Sequence, residues 1–431
     1  MTFNYTLVKN LRESRYKGDL YLIHPKTDEI VGIPAYNTLE EIGKTPELAI
    51  IMLSSQIPKI VSRLADFGIK HCMIESDFTN EPDAPKIFSK LTSIASEKDV
   101  LILGPAMIGI INTENYFTSS VIPVRRHIIH KHRRYSESGS LSFLAQSGGL
   151  SGALGWWTPL QNIPISKVIH TGKSINVKDA DILEYLFKDK STTVISLYLR
   201  IITEDIVRVL KEHQYEKPVL FKYVGKENGL IRELEKCAIK VDNYIELFEF
   251  AKIFLWCPEP MGKSLGIIGP SSGAIHLLIS EMRNQGLHLA RVNPQTKDTI
   301  LEKVGGSTCL AGNPVDYWPP EKFIGTDVCR IYFDSSHLLL KDEKVDALFL
   351  ALEFFSEIEF DFDIFNTIKQ KYPDKPIITI LIQAESEGRK RIIGCASELH
   401  IPVFVDEVER AIRGYSALIK YYENKREATS K

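Results

Sequence analysis

The residues best placed to do chemistry lie in two short polar turns, Ser147-Gly148-Gly149 and Ser271-Ser272-Gly273. The first sits within Phe143-Leu-Ala-Gln-Ser-Gly-Gly-Leu-Ser-Gly-Ala-Leu-Gly155. An apolar run that stops at such a turn, followed at once by small apolar residues, reads as a buried strand, a tight turn and the start of a helix. Glycine there leaves no Cβ between backbone N–H groups and a ligand, and the helix start adds about half a positive charge. The pattern suits a phosphate or a carboxylate, and a plain strand-to-helix turn of any α/β protein shares it. Because the second turn follows an equivalent run, Ser264-Leu-Gly-Ile-Ile268, we expect both helix ends to face a single anion and hold it more strongly than one would. A third stretch, Gly172-Lys-Ser174, looks like the end of a P-loop, but the glycine that motif needs upstream falls at Lys167, which excludes it.

The elements that must position these turns follow a strand–helix alternation. After a first helix reaching about Arg15, strands are expected at Asp19–His24, Leu48–Leu53, His71–Glu75 and Val100–Leu103, with a helix from about Pro58 to Phe67. Such alternation implies a parallel, doubly wound sheet, whose ligands sit at the carboxyl ends of strands. Lys26, Ser54 and Gly104 fall at those ends and are candidates for holding a phosphorylated ligand. A Rossmann domain opens with one more strand and a glycine-rich turn, and here the sequence passes from Met1 almost directly into the helix, so that turn is expected to be missing. Further strands are expected at Thr193–Leu199 and Pro218–Lys222, and a helix with acidic residues in its first turn from Asp179 to Leu186. Trp256-Cys-Pro-Glu-Pro-Met-Gly262 reads as a hinge by composition. Beyond it come strands at Ala347–Leu352, Pro376–Ile382 and Pro402–Val405, and a closing helix from Glu407 to Glu423. The second and third parts form a loose internal repeat.

Composition sets the bounds. The chain has 431 residues, 44% hydrophobic and 25% charged, with a formal net charge of −2, so it reads as an ordinary globular chain of two to four domains with no global pull toward nucleic acid or an anionic membrane. Six cysteines, with no CxxC among them, point to reduced thiols rather than a disulfide frame or zinc knuckle. No basic-then-apolar leader opens the sequence and no apolar run nears the ~18 residues that span a bilayer; the expectation is a soluble, cytoplasmic protein. Arg125-Arg-His-Ile-Ile-His-Lys-His-Arg-Arg134 places three histidines among five basic residues. No cysteine or carboxylate joins them before Glu137, so the stretch reads as a solvated basic linker or as a patch for an acidic partner or phosphate.

Taken in order, these segments resemble a known family. Tyr16–Tyr36 is similar to a stretch leading into "NPKADEVLG.PAYPSL", Leu103–Asn112 to "LGPNCLGLIN", Ala145–Gly149 to "SQSGAL" and Asp181–Leu186 to "DLLEYL"; Asn313-Pro-Val-Asp316 and Ile401-Pro-Val-Phe404 match "NPVD" and "IPVF". The chain resembles, from about Leu7 to Tyr422, the α-type part of NDP-forming acyl-CoA synthetases, also called ADP-forming acetate–CoA ligases, relatives of the succinyl-CoA synthetase α chain. The resemblance implies an α/β fold of three domains: a Rossmann-like CoA-binding-type domain over 1–137, N-terminally truncated, then flavodoxin-like, succinyl-CoA synthetase-like domains over 138–260 and 263–425. It also implies an ATP-grasp (β-type) partner chain or a complete synthetase alongside, and a homodimer is a further option. In the family phosphate attacks the acyl-CoA thioester, and a histidine oriented by a glutamate carries the phosphoryl group to ADP. A neutral imidazole suits that task, and two helix ends hold the phosphate charge.

The sequence departs from the family at that centre. Where the family has "SSHTGSLAG" after the strand matching Val219–Lys222, this chain has Tyr223-Val-Gly-Lys-Glu-Asn-Gly229, and residues 223–242 contain no histidine. Arg200 stands at the position of the glutamate in "YLEGI", and Ala106 replaces the asparagine of "GPNC". The expectation is therefore a degenerate homologue with an assembly, regulatory or ligand-binding role, CoA held weakly, and no metal or nucleotide bound by this chain alone. The alternative is an active ligase subunit whose phosphoryl acceptor has moved to His170, in a His-Thr-Gly triplet on a different loop, where the imidazole could equally serve as a structural hydrogen-bond partner. A third reading is a binding module for an acyl phosphate, CoA or an acidic protein.

Overall fold

The computed structural model describes residues 3–124, 140–304, 312–316, 328–353 and 360–430. The basic 125–134 stretch and Cys309 lie outside the described residues. Packing divides the chain into two compact units, 1–241 and 242–431; the three-domain limits at 137/138 and 260/263 remain a proposal.

In the first unit, α1 (Phe3–Ser14) buries Leu7, Val8 and Leu11, one face of a helical period, and ends where Arg15 takes a left-handed φ of 64°. β1 (Leu22–Ile23) runs parallel to β3 (Ile33–Tyr36), which pairs antiparallel with β2 (Glu29–Ile30). The two residues between β2 and β3, Val31 and Gly32, have φ of 55° and 71°, the double left-handed conformation of a tight hairpin turn. β4 (Leu48–Ile51), β5 (His71–Ile74) and β6 (Leu101–Leu103) form a second, parallel three-stranded sheet, covered by α2 (Ile57–Asp66) and α3 (Ala84–Glu97). Val61, Ile74, Leu91 and Ile102 are fully enclosed in its core. The single sheet expected for strands at 19–24, 48–53, 71–75 and 100–103 is thus corrected: the first strand shrinks to two residues and its ladder runs to β3, not to β4. The β2–β3 hairpin captures it, and no ladder joins the two halves.

The same unit holds a seven-stranded sheet in the order β13 (Ile239–Lys240), β12 (Val219–Tyr223), β11 (Val194–Leu199), β9 (Leu141–Ala145), β10 (Ile165–His170), β7 (Ile110–Asn112), β8 (Phe117–Thr118). The first five run parallel. β7 and β8 extend the β10 edge antiparallel. Every residue of β9 is buried, as both-face coverage of a central parallel strand requires. From β9 the chain steps to β10 on one side and returns to β11 on the other, the flavodoxin-like order whose reversal opens a crevice at the carboxyl ends. The helices are α4 (Gly148–Trp157), α5 (Asp179–Lys188), α6 (Glu204–Glu212) and α7 (Leu230–Cys237).

The second unit repeats that order with β15 (His288–Leu289), β14 (Ser264–Gly269), β17 (Ala347–Glu353), β18 (Ile377–Ile382) and β19 (Val403–Val405), while β16 (Val315–Asp316) joins β14 farther along the edge shared with β15. Its helices include α8 (Glu246–Trp256), α9 (Ser272–Asn284) and the long closing α14 (Val408–Thr429), and between α9 and α14 lie α10 (Pro294–Val304), α11 (Val328–Lys341), α12 (Ile364–Lys371) and α13 (Ser386–Glu398). The Trp256–Gly262 stretch, expected to be a hinge, is fastened to α14: Arg426 donates to the Pro260 carbonyl at 3.2 Å and pairs with Glu259 at 3.3 Å, and the Tyr415 hydroxyl donates to the Gly262 carbonyl at 3.2 Å. Among the described residues no helix is long and apolar enough to cross a membrane.

Candidate functional site

The crevice at the carboxyl end of β9 and β11 is organised by one side chain the sequence reading passed over. Gln146, the first residue after β9, accepts the backbone N–H groups of Arg200 (2.7 Å) and Ile201 (2.8 Å) through Oε1. Its Nε2 donates to Asp179 Oδ2 at 2.6 Å and to the Ile201 carbonyl at 3.1 Å. Asp179, at the start of α5, also accepts the Thr171 hydroxyl at 2.6 Å. One amide therefore ties the loops after β9, β10 and β11 together. The only hint in the sequence was a long polar residue directly before the glycine turn.

Ser147 caps α4 in an extended conformation with no side-chain cap bond, and its carbonyl takes the Ser151 N–H at 3.1 Å and the Ser151 hydroxyl at 2.8 Å. As at any helix start, the first-turn N–H groups have no intrahelical acceptor. The glycines divide in role. A Cβ on Gly149 would meet nothing within 4 Å, whereas one on Gly148 would run into Ile108 and lie 3.1 Å from His170 Cε1. Gly152 and Gly155 continue the packing stripe against Ile122, Ile108, Val124 and Ile111. So the small residues of α4 chiefly admit the 108–124 segment, and Gly149 is the open position.

His170, the last residue of β10, is buried at 7% exposure beside that turn. Its Nδ1 accepts the Ile108 N–H at 3.1 Å, which puts the proton of a neutral ring on Nε2. Burial pushes its pKa down to about 4, with Asp179 pulling the other way. Near pH 7 the ring is thus neutral, with Nε2–H a donor and its basic nitrogen already engaged. Arg200, exposed at the end of β11, has its backbone held by Gln146, and Gly225 of the loop after β12 packs on its carbonyl.

Lys26, after β1, and Ser54, after β4, lie beyond strands of the two separate three-stranded sheets and are exposed. Gly104 is buried with φ of 96°, its Cα faces the Ile74 carbonyl, and its own carbonyl accepts the Ile175 N–H at 3.1 Å; its position has a packing reason independent of any ligand. Glu75, at the end of β5, is the unforeseen residue. It is 6% exposed, no described residue gives either carboxyl oxygen a hydrogen bond of normal geometry, and burial lifts its pKa to about 8, the nearby Ser119 hydroxyl pulling the other way. In the second unit, the Ser271 hydroxyl accepts the Ala274 N–H at 3.4 Å and so caps α9, while Ser272 and Gly273 are exposed in its first turn. Asp316, 8% exposed, pairs in register with Gly269 beside that turn, and burial raises its pKa, with His276 pulling the other way.

The fold and these turns define a class, an α/β protein with a CoA-binding-type region followed by succinyl-CoA ligase-like sheets. Residues 1–113 match the family described as CoA binding domain, and residues 138–233 that described as succinyl-CoA ligase like flavodoxin domain. Along nearly its whole length the chain is similar to ADP-forming acetate–CoA ligases. It is 26% identical to ADP-forming acetate–CoA ligase II of Archaeoglobus fulgidus over 97% of its own length and 63% of that relative's. It is 24% identical to the α subunit of ADP-forming acetate–CoA ligase II of Pyrococcus furiosus over 97% of this chain and 93% of that one. The chain thus spans under two thirds of the length of the Archaeoglobus relative. In fold it is similar to a protein of Pyrococcus horikoshii (TM-score 0.85, 22% identity, 98% and 94% of the two chains). It is also similar to the apo dinucleotide forming acetyl-coenzyme A synthetase 1 of Ca. Korarchaeum cryptofilum (TM-score 0.82, 19% identity, 98% and 93%).

Proposed function

We propose that this chain is an α-type homologue that has lost the phosphohistidine relay and serves as an assembly, regulatory or ligand-binding component beside an ATP-grasp chain or a complete synthetase. The observation that carries the reading is the state of His170. The loops that follow β9, β10, β11 and β12 contain no histidine, and the imidazole at the end of β10 is buried with Nδ1 taken by Ile108. A ring so held donates a hydrogen bond; it does not offer a lone pair to phosphorus. Together with the open Gly149 and the half-buried Ser147, its Nε2–H favours holding an anion over transferring a phosphoryl group. Ser271, Ser272 and Gly273 offer a second helix start for an anion.

The test supplies acetyl-CoA, phosphate, ADP and magnesium to the chain mixed with an ATP-grasp chain from a two-subunit member of the family. The expected result is no ATP above the partner alone; ATP formed by the mixture would overturn the proposal. CoA is held weakly at best in this reading, because Lys26 and Ser54 are exposed and Gly104 is packed against the Ile74 carbonyl. Calorimetry giving a CoA dissociation constant of about 10 μM or tighter, about −7 kcal/mol, would contradict that part. The second reading, an active ligase subunit with His170 as a relocated acceptor, is favoured by one observation, the closeness of the ring to Gly148.

A further inference from the structure

Around the start of α4 the first unit gathers hydrogen-bond donors that the described residues leave unused. The N–H groups of Gly148, Gly149 and Leu150 open the helix and have no intrahelical acceptor. Ser147 makes no side-chain cap bond. A further donor comes from outside the helix. The His170 ring is 7% exposed, and a Cβ on Gly148 would lie 3.1 Å from its Cε1. Its one hydrogen bond is on Nδ1, which accepts the Ile108 N–H at 3.1 Å, so Nε2–H has no partner among the described residues. A buried side-chain donor left unused beside a helix start points to a ligand.

The acceptors in the same place are already engaged. The Asp179 carboxylate, whose charge reaches the His170 ring, accepts the Thr171 hydroxyl on Oδ1 and the Gln146 amide on Oδ2, both at 2.6 Å. Gln146 Oε1 accepts two backbone N–H groups, and the Ile201 carbonyl accepts Gln146 Nε2. The Ser147 carbonyl accepts both the N–H and the hydroxyl of Ser151. Free donors beside engaged acceptors discriminate between oxyanions. Inorganic phosphate keeps one P–OH near neutral pH, and that donor needs an acceptor. A phosphate monoester above its second pKa of about 6 is a dianion with no proton of its own.

We propose that the crevice at the start of α4 binds the proton-free dianion of a phosphate monoester in preference to inorganic phosphate, a specificity that rests on the anion-holding role proposed above. Ser147 is the one group there able to adapt. Its hydroxyl donates to an ester dianion, but facing inorganic phosphate it must turn to accept the P–OH, so phosphate forfeits a bond that the ester keeps. An unmatched donor of this kind costs about tenfold in affinity. Gly149, with nothing within 4 Å of a Cβ placed there, leaves space for the group beyond the ester oxygen. Burial holds the His170 ring neutral, so it contributes one N–H and no charge.

The test is calorimetric titration of the full chain at about pH 7.5 with methyl phosphate, sulfate and inorganic phosphate. Methyl phosphate and sulfate, both proton-free, should bind at least tenfold more tightly than inorganic phosphate. His170→Ala should weaken methyl phosphate at least tenfold, while His170→Gln, which keeps an N–H donor, should stay within about threefold of the parent. Ser147→Asp keeps a good N-cap residue and supplies the missing acceptor; with an unchanged melting temperature it should put inorganic phosphate ahead of methyl phosphate. Equal binding of the two phosphates by the parent, or an unchanged order in Ser147→Asp, would overturn the specificity and leave the anion site standing. Sulfate bound tightly and methyl phosphate not would overturn it as well, since the site would then exclude esters. Binding of none of the three would overturn the anion site itself, and the anion-holding part of the proposed function with it.

Discussion

Replacing Glu75 by glutamine should make the protein more stable, and increasingly so as pH rises. The Glu75 carboxyl is buried with no hydrogen bond of normal geometry from the described residues, and burial lifts its pKa from 4.5 to about 8 against the pull of the Ser119 hydroxyl. An unfolded chain releases that proton as pH passes 4.5, while the folded chain keeps it until about 8. The unfolded state therefore binds fewer protons across that window, and stability falls throughout it before levelling off above pH 8. At roughly 1.4 kcal/mol per tenfold in the proton equilibrium, the full window is worth about 5 kcal/mol, an upper figure because the site can relax on ionisation. Glutamine keeps the shape and never ionises. Near pH 4.5 the variant and the parent should melt within a few degrees of each other. By pH 8.5 the variant should melt higher by roughly 10 °C, taking about 2–4 °C per kcal/mol for a unit of this size. The assay is thermal unfolding of both proteins at half-unit pH steps. A melting-temperature difference that stays flat between pH 5 and 8, or changes in the parent's favour, would refute the buried, neutral carboxyl.

The glycine turn supplies a matched pair. Gly148→Ala should cost about 1–3 kcal/mol by overpacking against Ile108, while Gly149→Ala, facing open space, should be neutral or gain up to about 1 kcal/mol from helix propensity; thermal melts of the two variants check this. Gln146→Ala removes four hydrogen bonds joining three loops and should destabilise the first unit by about 2–4 kcal/mol, with faster amide exchange at Arg200 and Ile201 in hydrogen-exchange mass spectrometry. His170, whose pKa drops from 6.5 to about 4, gives the opposite pH trend to Glu75. Its stabilising share is complete above pH 6.5 and is lost as pH falls toward 4, so His170→Gln should flatten the acid limb of the melting-temperature profile.

How much of this was legible in the sequence follows from the range of the interactions involved. The strand–turn–helix units around Ser147 and Ser271 stood out because an apolar run and a glycine turn are local signals, and α4 and α9 start where that pattern puts them. The split between β1 and β4 was not legible, since sheet membership depends on ladders between distant segments and the β2–β3 hairpin competes for β1. Gly148 and Gly149 were read as ligand-facing; Gly148, like Gly152 and Gly155, instead makes room for Ile108, Ile111, Ile122 and Val124, partners 30 or more positions away in the chain. Gln146 and Glu75 were missed for the same reason: one is defined by bonds across 33 to 55 positions, the other by the lack of a hydrogen bond of normal geometry from the described residues.

Whether phosphate is carried or only held is decided most directly by trapping a phosphoenzyme. The chain is mixed with a family ATP-grasp partner, labelled ATP and magnesium, and examined for alkali-stable, acid-labile label. With Nδ1 of His170 accepting the Ile108 N–H at 3.1 Å and no histidine in residues 223–242, the chain should stay unlabelled while still binding the partner. Label on this chain that disappears in His170→Ala would contradict the account and make the protein an active ligase subunit.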